Sequence, residues 1–229
     1  MDQMTTVSPW IVVPAFNEGE VIFGVVSQLI EKYSNVVVVD DCSSDDTCAR
    51  ALETGARVLR HPVNLGQGAA LQTGLTYALR HGAQAIVTFD ADGQHRVEDI
   101  EVLLQVQSHT GAQVVIGSRF LGEALNIPPL RRRVLKLAVL FTRLTSRVRL
   151  TDAHNGLRLI MREAALRLHI RQNRMAHASE IVEQVRALGC SLVEAPVTIV
   201  YSEYSLRKGQ RLSNSLHIIS ELLADKISR

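Results

Sequence analysis

The order of hydrophobic and polar positions divides the first half of the chain into short apolar runs that alternate with helical segments. Runs rich in apolar residues predict buried strands at 10–13, 36–39, 56–60 and 85–89. Between them, apolar residues recur at helical spacing over 21–33, 47–53 and 69–79. This alternation predicts an α/β fold, with a mostly parallel central sheet that helices flank on both faces.

The second half continues the alternation but contains a long basic stretch. Further elements are expected at 97–107 and 175–188 (helices), 113–117 and 191–201 (strands) and 216–226 (helix). Because Pro196 cannot donate to a ladder, the strand that contains it should lie at the edge of the sheet. Residues 128–150 form an amphipathic basic segment, compatible either with a helix on an anionic membrane or with an ordinary surface helix. We interpret 1–229 as a single domain that includes this segment and a C-terminal loop and helix at 201–229.

The composition is that of an ordinary globular protein. Of 229 residues, 46% are hydrophobic and 21% charged, and the net charge of +2 gives no overall sign of nucleic-acid binding. The cysteines Cys42, Cys48 and Cys190 show no CxxC spacing, which argues against a disulfide framework or a zinc site and favours a reducing compartment. The N-terminus has no signal-peptide pattern, and the apolar runs are shorter than the ~20 residues of a membrane-spanning helix. We therefore expect a soluble or peripherally bound protein.

Two carboxylates one residue apart, Asp90 and Asp92, follow the apolar run 85–89. In an open α/β sheet, ligands bind beyond the carboxyl ends of the strands, and residues i and i+2 of an extended chain point the same way. Carboxylates on one side, with Gln94 close by, form a hard-oxygen site that suits Mg²⁺ or Mn²⁺, and such an ion usually binds a phosphate as well. Taken alone, the stretch is equally compatible with a polar turn.

Five further motifs accompany this pair in a fixed order. The six are VPAFNE at 13–18, VDDCSSDDT at 39–47, NLGQGA at 64–69, DADGQ at 90–94, GSR at 117–119 and DAHNGLR at 152–158. The glycine-bearing loop is neither a Walker A motif nor a GxGxxG fingerprint, which disfavours a Rossmann dehydrogenase. Together the motifs resemble the family 2 glycosyltransferases of the GT-A fold over roughly residues 8–212. The nearest resemblance is to dolichyl-phosphate mannose synthase and the bacterial polyprenyl-phosphate glycosyltransferases.

The resemblance implies a set of donor-binding residues. The nucleotide would be held by Pro14, Ala15, Phe16, Glu18, Asp41, Gln67, Asp90, Ala91 and Asp92, with Asp41 accepting a hydrogen bond from the base. The metal ligands would be Asp90, Asp92 and Gln94. The implied cofactor is Mg²⁺ or Mn²⁺ on the diphosphate, where a cation stabilises the charge that the leaving group accumulates.

The nature of the acceptor decides which other residues are needed. A lipid monophosphate is already anionic, so it requires cations, for which Arg119, Arg131, Arg132, Arg133, Arg158, Arg207 and Lys208 are candidates. A sugar hydroxyl would instead need a carboxylate to take its proton, and Asp152 and Glu180 are available. The predicted catalytic residues are accordingly Asp92, Arg119, Asp152 and Glu180. His154 and His177 could contact the metal or diphosphate, or serve the structure alone.

By this resemblance, the protein is an inverting, metal-dependent glycosyltransferase that moves a sugar from a nucleotide-diphospho-sugar to a polyprenyl phosphate, for cell-surface glycan synthesis. The alternatives are transfer to a hydroxyl of a lipid-linked saccharide, and nucleotide-sugar binding without turnover. We expect a UDP-sugar as the donor, with GDP-mannose as second choice, and no nucleic-acid partner. The protein should be cytoplasmic and peripherally bound to the inner face of the cell membrane. The segment 201–229 would lie on the acceptor side, and its amphipathic helix could pair with a second copy in a homodimer.

Overall fold

Seven strands and seven helices make up the part of the chain that the structure describes. This computed structural model describes residues 8–128, 150–152, 155–174 and 176–208. The strands are β1 Trp10–Ala15, β2 Val36–Asp40, β3 Arg57–Arg60, β4 Ala85–Thr88, β5 Val114–Leu125, β6 Arg158–Met161 and β7 Leu192–Val200. The helices are α1 Ile22–Lys32, α2 Thr47–Glu53, α3 Gln67–Arg80, α4 Asp99–Thr110, α5 Arg162–Ala165, α6 His177–Ala187 and α7 Glu203–Lys208. The predicted α/β fold is confirmed. Most of the basic segment 128–150 and the predicted helix at 216–226 lie outside the described residues.

The strands form one sheet in the order β3-β2-β1-β4-β6-β5-β7. All neighbours are parallel except that β6 runs antiparallel to both β4 and β5. The chain places β2 and β3 on one side of β1 and then returns to place β4 on the other side. The crevice between the carboxyl ends of β1 and β4 is therefore a topological switch point, where α/β sheets bind their ligands.

Strand β5 is the main departure from the sequence prediction. Apolar residues predict a strand at 113–117, whereas β5 continues to Leu125. It pairs with β7 up to Ser118 and again from Glu123, with a register shift between the two. Because residues 121–123 are exposed, the continuation carries no hydrophobic pattern. The prediction that the strand containing Pro196 lies at the sheet edge is confirmed.

Both faces of the sheet are buried, which explains the continuous apolar runs. Along β2, Val38 packs with Leu29 of α1 on one face, and Val37 packs with Leu75 of α3 on the other. All four side chains are at most 1% exposed. Since parallel strands covered on both faces have no polar side, alternation is absent from their sequences. Among the helices described, none is both long and apolar enough to cross a bilayer.

Candidate active site

The two predicted metal-binding carboxylates lie on the loop after β4, at the switch point. Asp90 accepts a hydrogen bond from Nε2 of Gln67 at 3.0 Å, and its other oxygen lies 3.3 Å from Nε2 of His95. Asp92 accepts the backbone N–H of Gln94 at 3.0 Å. The structure thus joins the loop after β4 to the first residue of α3. His95 is a site residue that the sequence reasoning missed, since no spacing rule marks it.

The two carboxylates differ in their tendency to hold a proton. Burial raises the pKa of Asp92 to about 6, and the charge of Asp90 acts in the same direction. Burial would also raise the pKa of Asp90, but the hydrogen bond and charge of His95, with the charge of Arg158, bring it below its usual value. Asp90 is therefore an anion at neutral pH. The two carboxylates are hard-oxygen donors of the kind that Mg²⁺ or Mn²⁺ prefers, whereas Gln94 contacts Asp92 through its backbone N–H.

The end of the edge strand β7 braces this loop from the other side. The backbone N–H of Val200 donates to the carbonyl oxygen of Gln94 at 2.9 Å. His95 forms an isolated antiparallel bridge with Ile199. The loop that carries Asp90 and Asp92 is consequently fixed both to α3 and to β7.

The loop after β1 is held by hydroxyl and carboxylate side chains of the loop after β2. The backbone N–H groups of residues 17, 18 and 19 donate to Ser43 Oγ at 2.9 Å, Thr47 Oγ1 at 2.7 Å and Asp45 Oδ2 at 3.0 Å. A Cβ at Gly19 would lie 1.9 Å from a carboxylate oxygen of Asp46, so a larger residue there would displace that exposed side chain. The VDDCSSDDT motif therefore shapes the predicted nucleotide loop, a role that its sequence did not reveal.

Asp41 anchors the loop that follows β3. Its Oδ1 accepts the N–H of Leu65 at 2.9 Å and lies 2.7 Å from Nδ1 of His61, and its Oδ2 accepts the N–H of Gly66 at 2.6 Å. A carboxylate can only accept, so Nδ1 of His61 donates, and Nε2 lies 2.9 Å from the hydroxyl of Thr73. Asp41 is 2% exposed. The contact of Asp41 with a nucleotide base stays a prediction. It would use lone pairs of the carboxylate that His61, Leu65 and Gly66 do not occupy.

The glycines of the 64–69 loop serve close backbone packing. A Cβ at Gly66 would lie 2.2 Å from the carbonyl oxygen of Asn173, and one at Gly68 would lie 2.0 Å from that of Gln172. The N–H of Gly68 donates to Asn173 at 2.8 Å. This contact sets the start of α3, from which Gln67 reaches Asp90.

Glu180, a predicted catalytic base, fixes the loop at 171–173 that packs against Gly66 and Gly68. Its carboxylate accepts the backbone N–H of Arg171 at 3.0 Å, that of Gln172 at 2.8 Å and Nε2 of Gln184 at 3.0 Å. Both oxygens are thereby engaged in fixing the loop that packs on Gly66 and Gly68.

Arg119 and Asp152 form a buried ion pair beyond the end of the first part of β5. Oδ2 of Asp152 accepts Nε of Arg119 at 2.6 Å, its backbone N–H at 3.1 Å, and Nδ2 of Asn155 at 3.3 Å. Nη1 of Arg119 donates to the hydroxyl of Tyr201 at 2.7 Å. Burial favours the neutral guanidine, but the charge of Asp152 keeps the pKa of Arg119 above its usual value. Arg119 is thus a fixed cation.

Glu194 of β7 holds the backbone on which the Asp152 carboxylate of this ion pair stands. It accepts the backbone N–H of Thr151 at 2.8 Å, the Thr151 hydroxyl at 2.8 Å and the backbone N–H of Asp152 at 2.9 Å. The hydroxyl of Thr151 also lies 2.6 Å from that of Ser118. Glu194 is a second residue that sequence reasoning missed.

Arg158 was expected to hold an acceptor phosphate, and the structure places it inside the protein. It is 1% exposed, and its Nε has no hydrogen-bond partner among the described residues. Burial lowers its pKa to about 10, while the charges of Asp90 and Asp152 act in the opposite direction. The guanidinium is therefore still charged at neutral pH.

Arg207 and Lys208 lie against the loop after β1, at residues 16–20. Lys208 Nζ is 2.7 Å from Glu18 Oε1 and donates to the carbonyl oxygen of Phe16 at 3.1 Å. The hydroxyl of Tyr204 donates to the other oxygen of Glu18 at 2.7 Å. Arg207 pairs at 3.2 Å with the exposed Glu20. Helix α7 thus ties the far end of the described chain to the loop after β1.

The remaining predicted residues fall into three groups. Those in or beside the strands are Pro14 and Ala15, buried in β1, Phe16, which is 44% exposed, and Ala91, which is buried. His177 is buried, and its Nδ1 lies 2.7 Å from the carbonyl oxygen of Arg174, which supports a structural role. Arg131, Arg132, Arg133 and His154 lie outside the described residues.

The chain is similar in sequence to one protein family and to several characterised proteins. The profile of the family described as "Glycosyl transferase family 2" matches residues 10–168. The chain is 31% identical to the UDP-N-acetylglucosamine–dolichyl-phosphate N-acetylglucosaminyltransferase of Methanococcus voltae, over 96% of this chain and 96% of that protein. It is 30% identical to the polyprenol monophosphomannose synthase of Mycolicibacterium smegmatis, over 92% of this chain and 85% of that protein.

Among solved structures, glucosyl-3-phosphoglycerate synthase from Mycobacterium tuberculosis, crystallised with Mn²⁺, uridine diphosphate and phosphoglyceric acid, has a similar fold. The TM-score is 0.74 at 20% sequence identity, over 95% of this chain and 78% of that one. At this identity the likeness concerns the fold.

Proposed function

Since the chain belongs to glycosyl transferase family 2 and is a glycosyltransferase of the GT-A fold, we propose that it moves a sugar from a nucleoside diphosphate to a polyprenyl phosphate. An oxygen of the acceptor phosphate forms the new bond to the anomeric carbon as the bond to the diphosphate oxygen breaks. The nucleoside diphosphate leaves with the electron pair. Attack in line with the leaving group inverts the anomeric carbon, so no enzyme nucleophile is needed.

The donor half of the site lies between the ends of β1 and β4. Asp90 and Asp92, with Gln94, would hold Mg²⁺ or Mn²⁺, which when bound neutralises charge on the departing diphosphate. Gln67 and His95 keep Asp90 in place for this. The solved relative with Mn²⁺ and uridine diphosphate supports a divalent cation and a uridine nucleotide. We infer a UDP-sugar as the donor, and GDP-mannose as the second choice.

The acceptor half is the side of Arg119. The observation that favours a phosphate over a hydroxyl is that both candidate bases are already engaged. Asp152 accepts three hydrogen bonds through one oxygen and is 1% exposed, and Glu180 holds the backbone of residues 171 and 172. A phosphate oxygen is already anionic and needs no base. Arg119, fixed by Asp152 and Tyr201, would supply the positive charge that it does need.

A lipid acceptor requires the enzyme to meet a membrane surface. Basic residues of the segment 128–150, including Arg131 and Arg132, would contact the anionic headgroups at the inner face of the membrane. The products would then serve the synthesis of surface glycans. The names of the two relatives, both of which act on polyprenyl-type lipids, support this assignment.

The experiment that tests the proposal is a transfer assay with defined acceptors. Purified protein with Mn²⁺ is given UDP-N-acetylglucosamine, UDP-glucose or GDP-mannose, together with a short-chain polyprenyl phosphate, and the lipid product is identified by mass spectrometry. The same reaction with the free polyprenol is the control. We expect a glycosyl phospholipid only with the phosphate. Transfer confined to the hydroxyl of a lipid-linked saccharide, or nucleotide binding without turnover of any of these donors, would overturn the proposal.

A further inference from the structure

Arg158 is the largest side chain that is fully buried in the described chain. It stands on β6, in register with Thr88 of β4 and Ile116 of β5, where packing alone would favour an apolar residue. Its Nε makes no hydrogen bond to any described residue, and the guanidinium forms no direct ion pair within the described part of the structure. Burying a charge in this way is costly unless other charges compensate it.

Two acidic residues lie beside the segment that leads into Arg158. The hydroxyl of Thr88 donates to the carbonyl oxygen of Gly156 at 2.6 Å, and a Cβ at Gly156 would lie 2.0 Å from Oδ2 of Asp90. The segment that leads into Arg158 therefore lies directly against Asp90.

On the other side, Asn155 ties the same segment to Asp152. Its Nδ2 donates to Oδ2 of Asp152 at 3.3 Å, and its Oδ1 accepts the N–H of Leu157 at 2.9 Å. The negative charges of Asp90 and Asp152 both raise the pKa of Arg158 and so favour its charged form.

The segment 155–158 therefore connects four charged residues of the two proposed halves of the site: Asp90, Arg158, Asp152 and Arg119. We propose that Arg158 is a positioning residue that holds Asp90 and Asp152 in place by its charge and touches neither substrate. The inference rests on the proposed function for the roles of the two ends, the metal carboxylate and the phosphate-binding arginine. We assign Arg158 this positioning role in place of the direct phosphate binding that was expected from the sequence.

The positioning role of Arg158 predicts a change in metal affinity that a purely structural or a phosphate-binding role does not predict. A positive charge next to Asp90 opposes the binding of a cation there, so its removal should strengthen metal binding. At the same time Asp152 would lose a counter-charge, and the orientation of Arg119 would be less well fixed. Metal affinity and acceptor affinity should therefore change in opposite directions.

The test uses Arg158→Met, which keeps the length of the side chain, and Arg158→Lys, which also keeps the charge. Arg162→Met is the matched control, because Arg162 is a nearby arginine whose guanidinium donates to the carbonyl oxygens of Leu79 and Ala83, away from both carboxylates of the site. Mn²⁺ binding to the protein without nucleotide is measured by electron paramagnetic resonance. The KM for a short-chain polyprenyl phosphate and kcat are measured separately.

We expect Arg158→Met to bind Mn²⁺ at least fivefold more tightly and to raise the acceptor KM at least tenfold. Arg158→Lys should restore both to within threefold, and Arg162→Met should change neither. Unchanged or weaker Mn²⁺ binding with a lost acceptor affinity would overturn the proposal and favour direct phosphate binding. If Arg158→Met does not fold, Arg158→Gln is measured against the same criteria. Absence of any lipid-phosphate product from the unmodified protein would sink the proposed function, while the Mn²⁺ measurement would still decide the electrostatic role of Arg158.

Discussion

Replacing Asp92 by Asn should stabilise the protein while it abolishes the activity. Burial and the charge of Asp90 raise the pKa of Asp92 from 3.8 to about 6. At 1.36 kcal/mol for each pH unit, this rise corresponds to as much as about 3 kcal/mol by which the ionised carboxylate destabilises the folded state at pH 7. Asn removes the charge, and its amide oxygen can still accept the N–H of Gln94.

The sign of the pH dependence follows from the direction of the shift. Between pH 3.8 and about 6 the folded protein holds a proton on Asp92 that the unfolded chain has lost. Stability that depends on this proton is present at low pH and is lost as the pH rises through about 6. The advantage of Asp92→Asn should therefore be close to zero at pH 4 and reach roughly 1–3 kcal/mol at pH 7.

Urea denaturation in the presence of EDTA at pH 4 and pH 7 measures this difference. Asp46→Asn is the control, since Asp46 is exposed and pairs with the exposed Arg50 one helical turn away, and its effect should stay within about 0.5 kcal/mol. Saturating Mn²⁺ should stabilise the unmodified protein and not Asp92→Asn, and turnover of the variant should fall by orders of magnitude. A variant that is less stable at pH 7, or that gains equally at both pH values, would refute the reasoning.

Three further predictions concern Gly156, Glu180 and the basic segment. Gly156→Ala should weaken Mn²⁺ binding at least tenfold, because the new methyl group would displace the Asp90 carboxylate; unchanged binding in a titration would contradict the packing. Glu180→Gln should lower the melting temperature but leave kcat within about threefold, since this carboxylate serves a loop; a collapse of kcat with nucleotide binding intact would favour a hydroxyl acceptor. Replacing the three arginines at 131–133 by Ala should reduce binding to anionic vesicles without altering nucleotide affinity, and the reverse pattern in a sedimentation assay would defeat the membrane assignment.

The features that the sequence predicted are those that depend on neighbours along the chain. The valine run at 36–39 indicates a strand buried on both faces, and the i, i+2 spacing of Asp90 and Asp92 indicates two carboxylates together beyond the end of β4. The continuation of β5 to Leu125 escaped prediction because the residues at the register shift, 121–123, are exposed and interrupt the apolar pattern.

Contacts between distant positions could not be predicted from one sequence. Tyr204 donates to Glu18 across 186 positions, and no periodicity records such a partner. Residue type also leaves burial undetermined, since most arginines lie at the surface while Arg158 is enclosed. Glu194 carries no motif, and its importance becomes visible only when Thr151 and Asp152 are seen above it.

Edge strand β7 contacts both halves of the candidate site. The backbone N–H of Val200 holds the loop that carries Asp90 and Asp92, Glu194 supports the ion pair of Arg119, and the strand leads directly into Tyr201. A slip of one residue in its pairing would turn the Glu194 side chain to the opposite face and move the N–H of Val200 away from Gln94. The alignment of this one strand therefore affects both the proposed donor half and the proposed acceptor half. Sequence changes that adapt such an enzyme to new acceptors should spare the length of β7 and accumulate in the loops around it.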